Sequence, residues 1–328
     1  MRKHNLSGRH AGLIALIAFS SVLPFLLREY HLSIVTLLLI NIIIVVSFRL
    51  ITTIGGFNLA HLPLMGAGAY FSTIMMKDFG LPFLLTMPLA GLVAALVGFG
   101  FSYPLVRMKG FAFFIGSYAI GEAMRLGWVK IRNPFGGPGG IINVPRPSSW
   151  SFPGLPTIDF HNSIPYYFLV LVVVLVCLFI MHRIDRSLIG DTFKAIYSQE
   201  LLAKCVGINI ARYKALNYVI GASFAGVAGA LLAHYLGAVD PSLFSLAPTV
   251  YLPIWVVIGG THTFAGPIIG VTIFTGIDEA LRPFAEWRPL VYGFVLIFVL
   301  LFLPEGFESL PARIRPWVKR LRSWVRGE

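Results

Sequence analysis

Histidines within apolar segments are the side chains of this sequence best suited to chemistry. His61, His234 and His262 each lie in a stretch rich in small or apolar residues. An imidazole can act as a general base or as a metal ligand, but both roles need a second functional group close by, and these three lie far apart in the sequence. Cys177 and Cys205 have no partner at metal-ligand or redox spacing either. We therefore predict no catalytic residue and no metal site.

The sequence also lacks the motifs of nucleotide hydrolysis. No Lys follows a Gly anywhere, so the phosphate-binding motif G-x-x-x-x-G-K-[ST] cannot occur, and G-x-S-x-G and H-E-x-x-H are missing too. We predict that the chain is not an enzyme and holds no cofactor of its own.

A glycine-broken stretch in the first half of the chain is a candidate solute path. Gly55-Gly56 and Pro63 interrupt backbone hydrogen bonding, and such backbone is tolerated at membrane depth only where it faces protein or a water-filled cavity. The predicted path residues of this stretch are Asn58, His61, Gly66, Gly68 and Tyr70. The alternative is close helix packing through the two later glycines, with the histidine bonded to a carbonyl.

A second broken stretch lies in the other half. About 12 apolar residues precede Gly259-Gly260, too few for a full span, and Gly266-Pro267 follows soon after. A short helix, a turn and a returning helix fit this pattern. Gly259, Gly260 and His262 are added to the predicted path, because broken helices in both halves of a transporter point to a central route.

One charged pair falls within a predicted span. Glu122 and Arg125 are three residues apart and therefore neighbours on one helix face. A charge inside the bilayer is costly unless it is paired or hydrated. The pair is either a gate of the path or a self-neutralising structural pair.

The composition places these elements in a membrane. Hydrophobic residues make up 57% of the 328 residues, charged residues only 12%, and the mean hydropathy is +0.80. Soluble domains are about one quarter charged, so a soluble fold and a disordered chain are both excluded. The formal net charge of +12 does not require a nucleic acid partner, because membrane proteins collect Lys and Arg in cytoplasmic loops.

Apolar runs predict an all-α integral membrane protein with about ten crossings, including short broken helices. The strong candidates are 11–27, 32–54, 81–103, 164–181, 213–236 and 289–303, and the weaker ones are 57–76, 111–131, 249–261 and 264–281. The basic start of the chain is interpreted as an uncleaved first helix, because no small-residue cleavage site follows it.

The distribution of positive charge predicts the orientation. Most of the 26 Lys and Arg residues fall in cytoplasmic segments if both termini are cytoplasmic. Residues 1–328 then form one membrane domain, with an outer loop at 132–163, a cytoplasmic loop at 182–212 and a basic cytoplasmic tail at 305–328.

The cytoplasmic loop carries the most specific pattern. Residues 190–209, in which Glu200 is followed by Gly207 and then Ile208-Asn209, resemble the coupling loop of ABC-importer permeases, in particular those of the branched-chain amino acid family. Further matches in the family's order are Gly66-x-Gly68 before Ala69-Tyr70, Gly121-Glu122 with Arg125, Gly136-Gly137 to Gly140-Ile141, Gly259-Gly260 with Gly266-Pro267, and Leu303-Pro304 with Gly306-Phe307.

The resemblance implies a subunit of the bacterial inner membrane that has several partners. These are a second, homologous permease in a heterodimer, two cytoplasmic ATPase subunits that bind ATP and Mg, a periplasmic substrate-binding protein, and the lipid bilayer. The coupling residues that it implies are Gly190, Phe193, Ala195, Ile196, Glu200, Leu201, Ala203, Val206 and Gly207. Four of them would be apolar anchors for the ATPase (Phe193, Ile196, Leu201 and Val206), and Glu200 would cap or pair at the interface.

The implied function is inward transport of a small polar solute by alternating access, with branched-chain amino acids as the first expectation. The chain has Asn58-Leu59-Ala60-His61 where the family usually has Ser-Leu-Gly-His, and His262 where it usually has Gly. Relatives that carry urea, short amides or aromatic carboxylates are therefore alternatives for the substrate. An ion-coupled secondary transporter and an intramembrane enzyme are the alternatives from other classes.

Overall fold

The computed structural model describes residues 20–149, 159–303 and 306–309. Three predictions lie partly outside the described residues: the start of the span at 11–27, part of the loop at 132–163, and most of the tail at 305–328.

Helices dominate the described residues. They are α1 (20–26), α2 (Glu29–Thr52), α3 (His61–Asp78), α4 (Phe83–Val106), α5 (Gly110–Lys130), α6 (Ser163–Asp185), α7 (Leu188–Ser198), α8 (Glu200–Cys205), α9 (Ile210–Leu236), α10 (Leu246–Gly259), α11 (Gly266–Ala280) and α12 (Arg288–Phe302). Two short strands, β1 (Ile141–Ile142) and β2 (Ala238–Val239), pair antiparallel.

The predicted all-α membrane class is confirmed. Four described helices, α2, α4, α6 and α9, are long and apolar enough to cross a membrane. Each lies within a few residues of its predicted span. The count of ten crossings and the cytoplasmic termini stay predictions.

Three helices near the C-terminus are shorter than a full span. The helices α10, α11 and α12 have 14, 15 and 15 residues. At 1.5 Å per residue they are about 21–23 Å long, against about 30 Å for the hydrocarbon core. The helices α10 and α11 are joined by residues 260–265 and pack against each other, so the predicted short helix, turn and returning helix is confirmed.

The helix α9 lies at the centre of the bundle and packs against α2, α3 and α4. Small residues recur at every fourth position of this helix, at Gly221, Ala225, Gly229 and Ala233, and all four are buried. A Cβ on Gly229 would lie 1.9 Å from the Met65 carbonyl oxygen of α3. The stripe thus brings backbones together, as small residues do in membrane bundles, where dispersion contacts replace the hydrophobic effect.

The loops gather at the two ends of the bundle. At one end, β1 and β2 place Ile141 opposite Val239, and Lys77 donates a hydrogen bond to the Ile142 carbonyl at 3.0 Å. The opposite end is named the α7 end. It comprises residues 53–60, 107–109, 186–209, 260–265 and 306–309.

The helix crossing of α3 and α9 gives a test of this packing. Gly68→Ala would place a Cβ 2.4 Å from the Gly226 Cα. Overpacking of this kind costs about 1–3 kcal/mol, so we expect a lower thermal unfolding midpoint for the purified protein in detergent. Gly100→Ala in α4 is the control, because a Cβ there meets nothing within 4 Å. Equal midpoints for the two variants would contradict the close crossing.

Candidate functional site

Two short helices, α7 and α8, form the predicted coupling loop. The Ser187 side chain caps α7 by accepting a hydrogen bond from the Gly190 amide at 3.4 Å. Gly190 lies against the carbonyls that end α6, where a Cβ would come within 2.5 Å of the Asp185 oxygen. Gln199 is extended (φ −153°, ψ 92°) and separates the two helices. The loop therefore consists of two short helices separated by one extended residue.

The predicted apolar anchors divide between two faces. Phe193 and Ile196 are buried and hold α7 on the bundle, whereas Leu201 is 76% exposed and Val206 is 70% exposed. Of the other predicted coupling residues, Ala195 is exposed, Ala203 is buried, and Gly207 turns the chain with a φ of +87°.

Further apolar side chains of the coupling loop are exposed. They are Leu188 of α7 and Leu202 of α8, in addition to Leu201 and Val206. The sequence reasoning missed these two, although the helical spacing of the loop could have found Leu188. We call these four residues the outer face. A cluster of exposed apolar side chains is typical of a surface that binds another protein.

Glu200 ties α8 to two other elements. Its carboxylate accepts a hydrogen bond from the Lys214 Nζ of α9 at 3.0 Å, and the Lys109 Nζ before α5 lies 3.5 Å away. The Lys214 ammonium, helped by Lys109, holds the pKa of Glu200 below its usual value. The predicted pairing of Glu200 is therefore made within this chain, and the carboxylate is ionised at neutral pH.

A buried ion pair joins the ends of α2 and α6. The Arg49 Nη1 lies 3.0 Å from the Asp185 Oδ1, and the two side chains are only 3% and 12% exposed. Lys194 of α7 donates a hydrogen bond to the Asp185 carbonyl at 2.8 Å and lies 3.7 Å from its carboxylate. The pair thus fixes α7 to two long helices.

Arg49 also reaches the turn between α10 and α11. Its guanidinium donates hydrogen bonds to the carbonyls of Thr261 and His262, each at 3.2 Å. From the other side, Glu308 accepts hydrogen bonds from the amides of His262 and Thr263, each at 2.9 Å, and from the Thr263 hydroxyl. The Arg49 cation therefore binds the carbonyls of this turn, and the Glu308 carboxylate binds its amides.

The glycines of this turn make room for Glu308. A Cβ on Gly260 would lie 2.3 Å from the Glu308 carboxyl carbon, and the Gly260 φ of +111° favours glycine. A Cβ on Gly259 would meet the Gly266 carbonyl at 2.0 Å. Gly259 and Gly260 therefore serve the packing of the turn, while the His262 side chain is exposed.

We name the connected set Lys194, Asp185, Arg49 and Glu308, with the turn that they hold, the charge chain. None of these four residues was predicted to be functional. Arg49 and Asp185 are separated by 136 residues, and a single charge at the end of an apolar run looks like an ordinary loop charge. A usable signal was an Arg and an Asp each within a turn of an end of a predicted span.

The other predicted path residues are packed inside the chain. Asn58 and His61 are fully buried, and the His61 Nε2 lies 2.9 Å from the Ser47 Oγ. Gly66 faces Trp128 and Phe244, Gly68 faces the Gly226 backbone, and the Tyr70 ring lies 4.8 Å from Trp128. This placement matches the packing alternative for the two glycines, and a path role for the set stays a prediction.

The charged pair of α5 stays local. The Arg125 Nε donates to both Glu122 oxygens at 3.0 and 2.9 Å, and each side chain is about one quarter exposed. No other described residue forms an ion pair with either side chain. The structure therefore does not bring this pair to the turn of α10 and α11.

Two cavities open at the α7 end. A cavity of about 680 Å³ is lined by Arg49, Phe57, Lys194 and His262 among others. A neighbouring cavity of about 270 Å³ is lined by Glu200, Lys214 and several apolar side chains. Both include Gly55, Gly56, Gly110 and Tyr197.

Comparisons with known proteins show which family the chain belongs to. The family model described as branched-chain amino acid transport system / permease component matches residues 30–303. The high-affinity branched-chain amino acid transport system permease protein LivM of Escherichia coli K12 is 28% identical over 334 residues, covering 96% of this chain and 78% of LivM. LivM of Salmonella typhimurium is 27% identical over the same shares of both chains.

A second type of permease is similar over a shorter stretch. LivH of the E. coli K12 system is 35% identical over 131 residues, 39% of this chain and 42% of LivH. No solved structure matches the chain. Because the family model covers most of its length and its apolar helices fit a bilayer, the chain belongs to the permease-component family of branched-chain amino acid transport systems and is a multi-pass inner-membrane protein.

Proposed function

We propose that the chain is the permease subunit of an ATP-driven importer that carries a small polar solute from the periplasm to the cytoplasm. The observation that carries the proposal is the outer face of α7 and α8. Its side chains are apolar and exposed, while Lys194 of α7 and Glu200 of α8 form ion pairs with the rest of the bundle. Such a face is suited to receive motion from another subunit and to pass it on. Two relatives that are similar to the chain, LivM and LivH of Escherichia coli, are permease proteins of a high-affinity branched-chain amino acid transport system.

In this proposal the α7 end lies in the cytoplasm. Lys109, Lys194, Lys204, Arg212 and Lys214 concentrate there, as the positive-inside rule requires. Two ATPase subunits would dock on the outer face and bind ATP and Mg, a homologous permease would complete a heterodimer, and a periplasmic binding protein would deliver the solute to the β1–β2 end.

The charge chain supplies a route for the motion. Lys194 belongs to α7, Asp185 and Arg49 to the ends of two long helices, and Arg49 with Glu308 holds the turn of α10 and α11. A displacement of α7 would therefore reach α10 and α11 through directional hydrogen bonds and ion pairs. In the alternating-access cycle that we propose, this turn and the non-helical residues 53–60 are where the path opens.

Branched-chain amino acids are the proposed solute, with urea, short amides or aromatic carboxylates as alternatives. Purifying the chain with its partners and reconstituting them in vesicles tests this directly. We expect ATP-dependent uptake of leucine, isoleucine and valine that exceeds uptake of urea, acetamide and benzoate. Uptake that needs no ATPase subunit, or that follows an ion gradient alone, would overturn the proposal.

Glu200→Arg tests the coupling role of α8. The variant places a third cation beside Lys214 and Lys109, so α8 should separate from α9. We expect normal membrane insertion but a loss of at least ten-fold in solute moved per ATP hydrolysed. Glu286→Arg is the control, since it makes the same charge change in an exposed turn at the opposite end. Wild-type coupling in Glu200→Arg would contradict the docking assignment.

The Arg49–Asp185 pair allows stability and coupling to be separated. Asp185→Leu alone leaves the Arg49 cation buried without a carboxylate and should cost about 3–5 kcal/mol of stability. Arg49→Met alone should cost less, because Lys194 remains beside the Asp185 carboxylate. The double variant removes both charges and should regain most of that stability, measured as the thermal midpoint in detergent. We expect it to remain poorly coupled, because the carbonyls of Thr261 and His262 have lost their donor. A stable double variant with wild-type transport per ATP would exclude the charge chain as the route.

A further inference from the structure

The cavity of about 270 Å³ at the α7 end has the chemistry of a binding site. The end of α2, the residues between α4 and α5, both coupling helices and the start of α9 all line it. Its volume is close to the lower end of typical small-ligand pockets, which begin at about 300 Å³.

Part of the cavity wall is apolar. Aliphatic and aromatic side chains from four helices and from the residues between α4 and α5 face it, among them Ile51, Leu105, Val106, Met108, Phe113 and Ile196. A hydrated inorganic ion would gain nothing from this wall, whereas a branched or straight aliphatic group would bury its surface there.

The mouth of the cavity carries both signs of charge. Glu200 lies between Lys214 at 3.0 Å and Lys109 at 3.5 Å, so the cluster has one positive charge in excess. Lys109 is the looser partner, since its side chain is 75% exposed. It can therefore turn to a carboxylate without breaking the tighter bond between Glu200 and Lys214.

We propose that this cavity binds the zwitterion of an aliphatic amino acid from the cytoplasmic side and that the bound molecule slows import. The carboxylate would be held by Lys109, the ammonium by Glu200, and the aliphatic group by the apolar wall. This deepens the proposed function, on which it rests, by adding a product-sensing site to the permease.

The effect on import follows from the position of the cavity. Its walls belong to the coupling helices on one side and to α2 and α9 on the other. A ligand that contacts both sides stabilises the arrangement in which the coupling helices lie close to α2 and α9. Any step of the cycle that moves α7 and α8 relative to the bundle is then disfavoured, because a ligand shifts a population toward the state that it binds better.

The test uses the complete transporter in vesicles loaded with ATP and one internal compound. The three probes are L-leucine, 3-methylbutylamine, which lacks the carboxylate, and 4-methylpentanoate, which lacks the ammonium group. We expect internal L-leucine to lower the initial rate of uptake, and the two analogues at equal concentration to have little effect. Equal inhibition by all three compounds, or none by L-leucine, would overturn the proposal.

Matched lysine variants locate the site. Lys109→Gln should raise the internal L-leucine concentration for half-inhibition about ten-fold, as expected for loss of one charged hydrogen bond. Lys204→Gln, on the exposed surface of α8 and away from the cavity, should leave it unchanged. Each variant is compared with its own uninhibited rate. Equal half-inhibition in the two variants would exclude this cavity.

A binding measurement separates this proposal from the proposed function. Without ATP, labelled L-leucine should bind the solubilised transporter, and Val106→Trp, which fills the cavity, should abolish that binding. Absence of binding to the wild type, or binding retained in Val106→Trp, would overturn the site even if import is normal. Absence of import with binding intact would overturn the proposed function and leave the site standing.

Discussion

The α7 end of the bundle depends on one buried ion pair, that of Arg49 and Asp185. Two charges removed from water are stable only when each finds several partners, and here the guanidinium contacts one carboxylate and two backbone carbonyls. These requirements bring α2, α6 and the turn of α10 and α11 to one point. Lys194 then adds α7 to the same point, so the position of the coupling helices follows from the need to satisfy a buried cation.

The middle of the bundle follows a different constraint. Around α9, glycines let backbones approach so closely that even a methyl group would clash, as at Gly68 and Gly229. Packing of this kind resists changes in helix separation, because interiors at such density transmit displacement rather than absorb it. The two regions therefore respond differently to a displacement. Hydrogen bonds can rearrange at the α7 end, while α3, α4 and α9 behave together as a rigid body.

The sequence predicted correctly the features that depend on local residue patterns. The long apolar runs gave α2, α4, α6 and α9 within a few residues, because the bilayer requires about 20 consecutive apolar residues for a span. The break before α10 and α11 was visible in Gly259-Gly260 and Gly266-Pro267. Pattern could not tell that α3 begins only at His61, or that Phe193 faces inward while Leu201 faces outward, because these depend on what packs against each segment.

Long-range pairing was the part that no local pattern revealed. Glu308 approaches the turn at 262–263 from about 45 residues further along the chain, and Arg49 pairs with a residue 136 positions away. Glu200 was predicted to cap or pair at an interface with another subunit, which stays a prediction, and no local pattern indicated that two lysines of its own chain hold it. Predicted path glycines such as Gly66 show the same effect, since only the tertiary structure reveals the Trp128 ring against it.

The two cavities of the α7 end are linked by one side chain. Tyr197 of α7 lines both, and a Cβ on Gly55 would lie 3.5 Å from its ring. The larger cavity contains the Arg49 guanidinium and the smaller one the Glu200 carboxylate, so Tyr197 lies between the charge chain and the lysine cluster. A movement of α7 must therefore change both volumes together. Any ligand that fills one of the two cavities therefore acts on α7, the helix that the charge chain connects to α10 and α11. For this reason a regulatory site and a coupling route can act through the same helix although they share few residues.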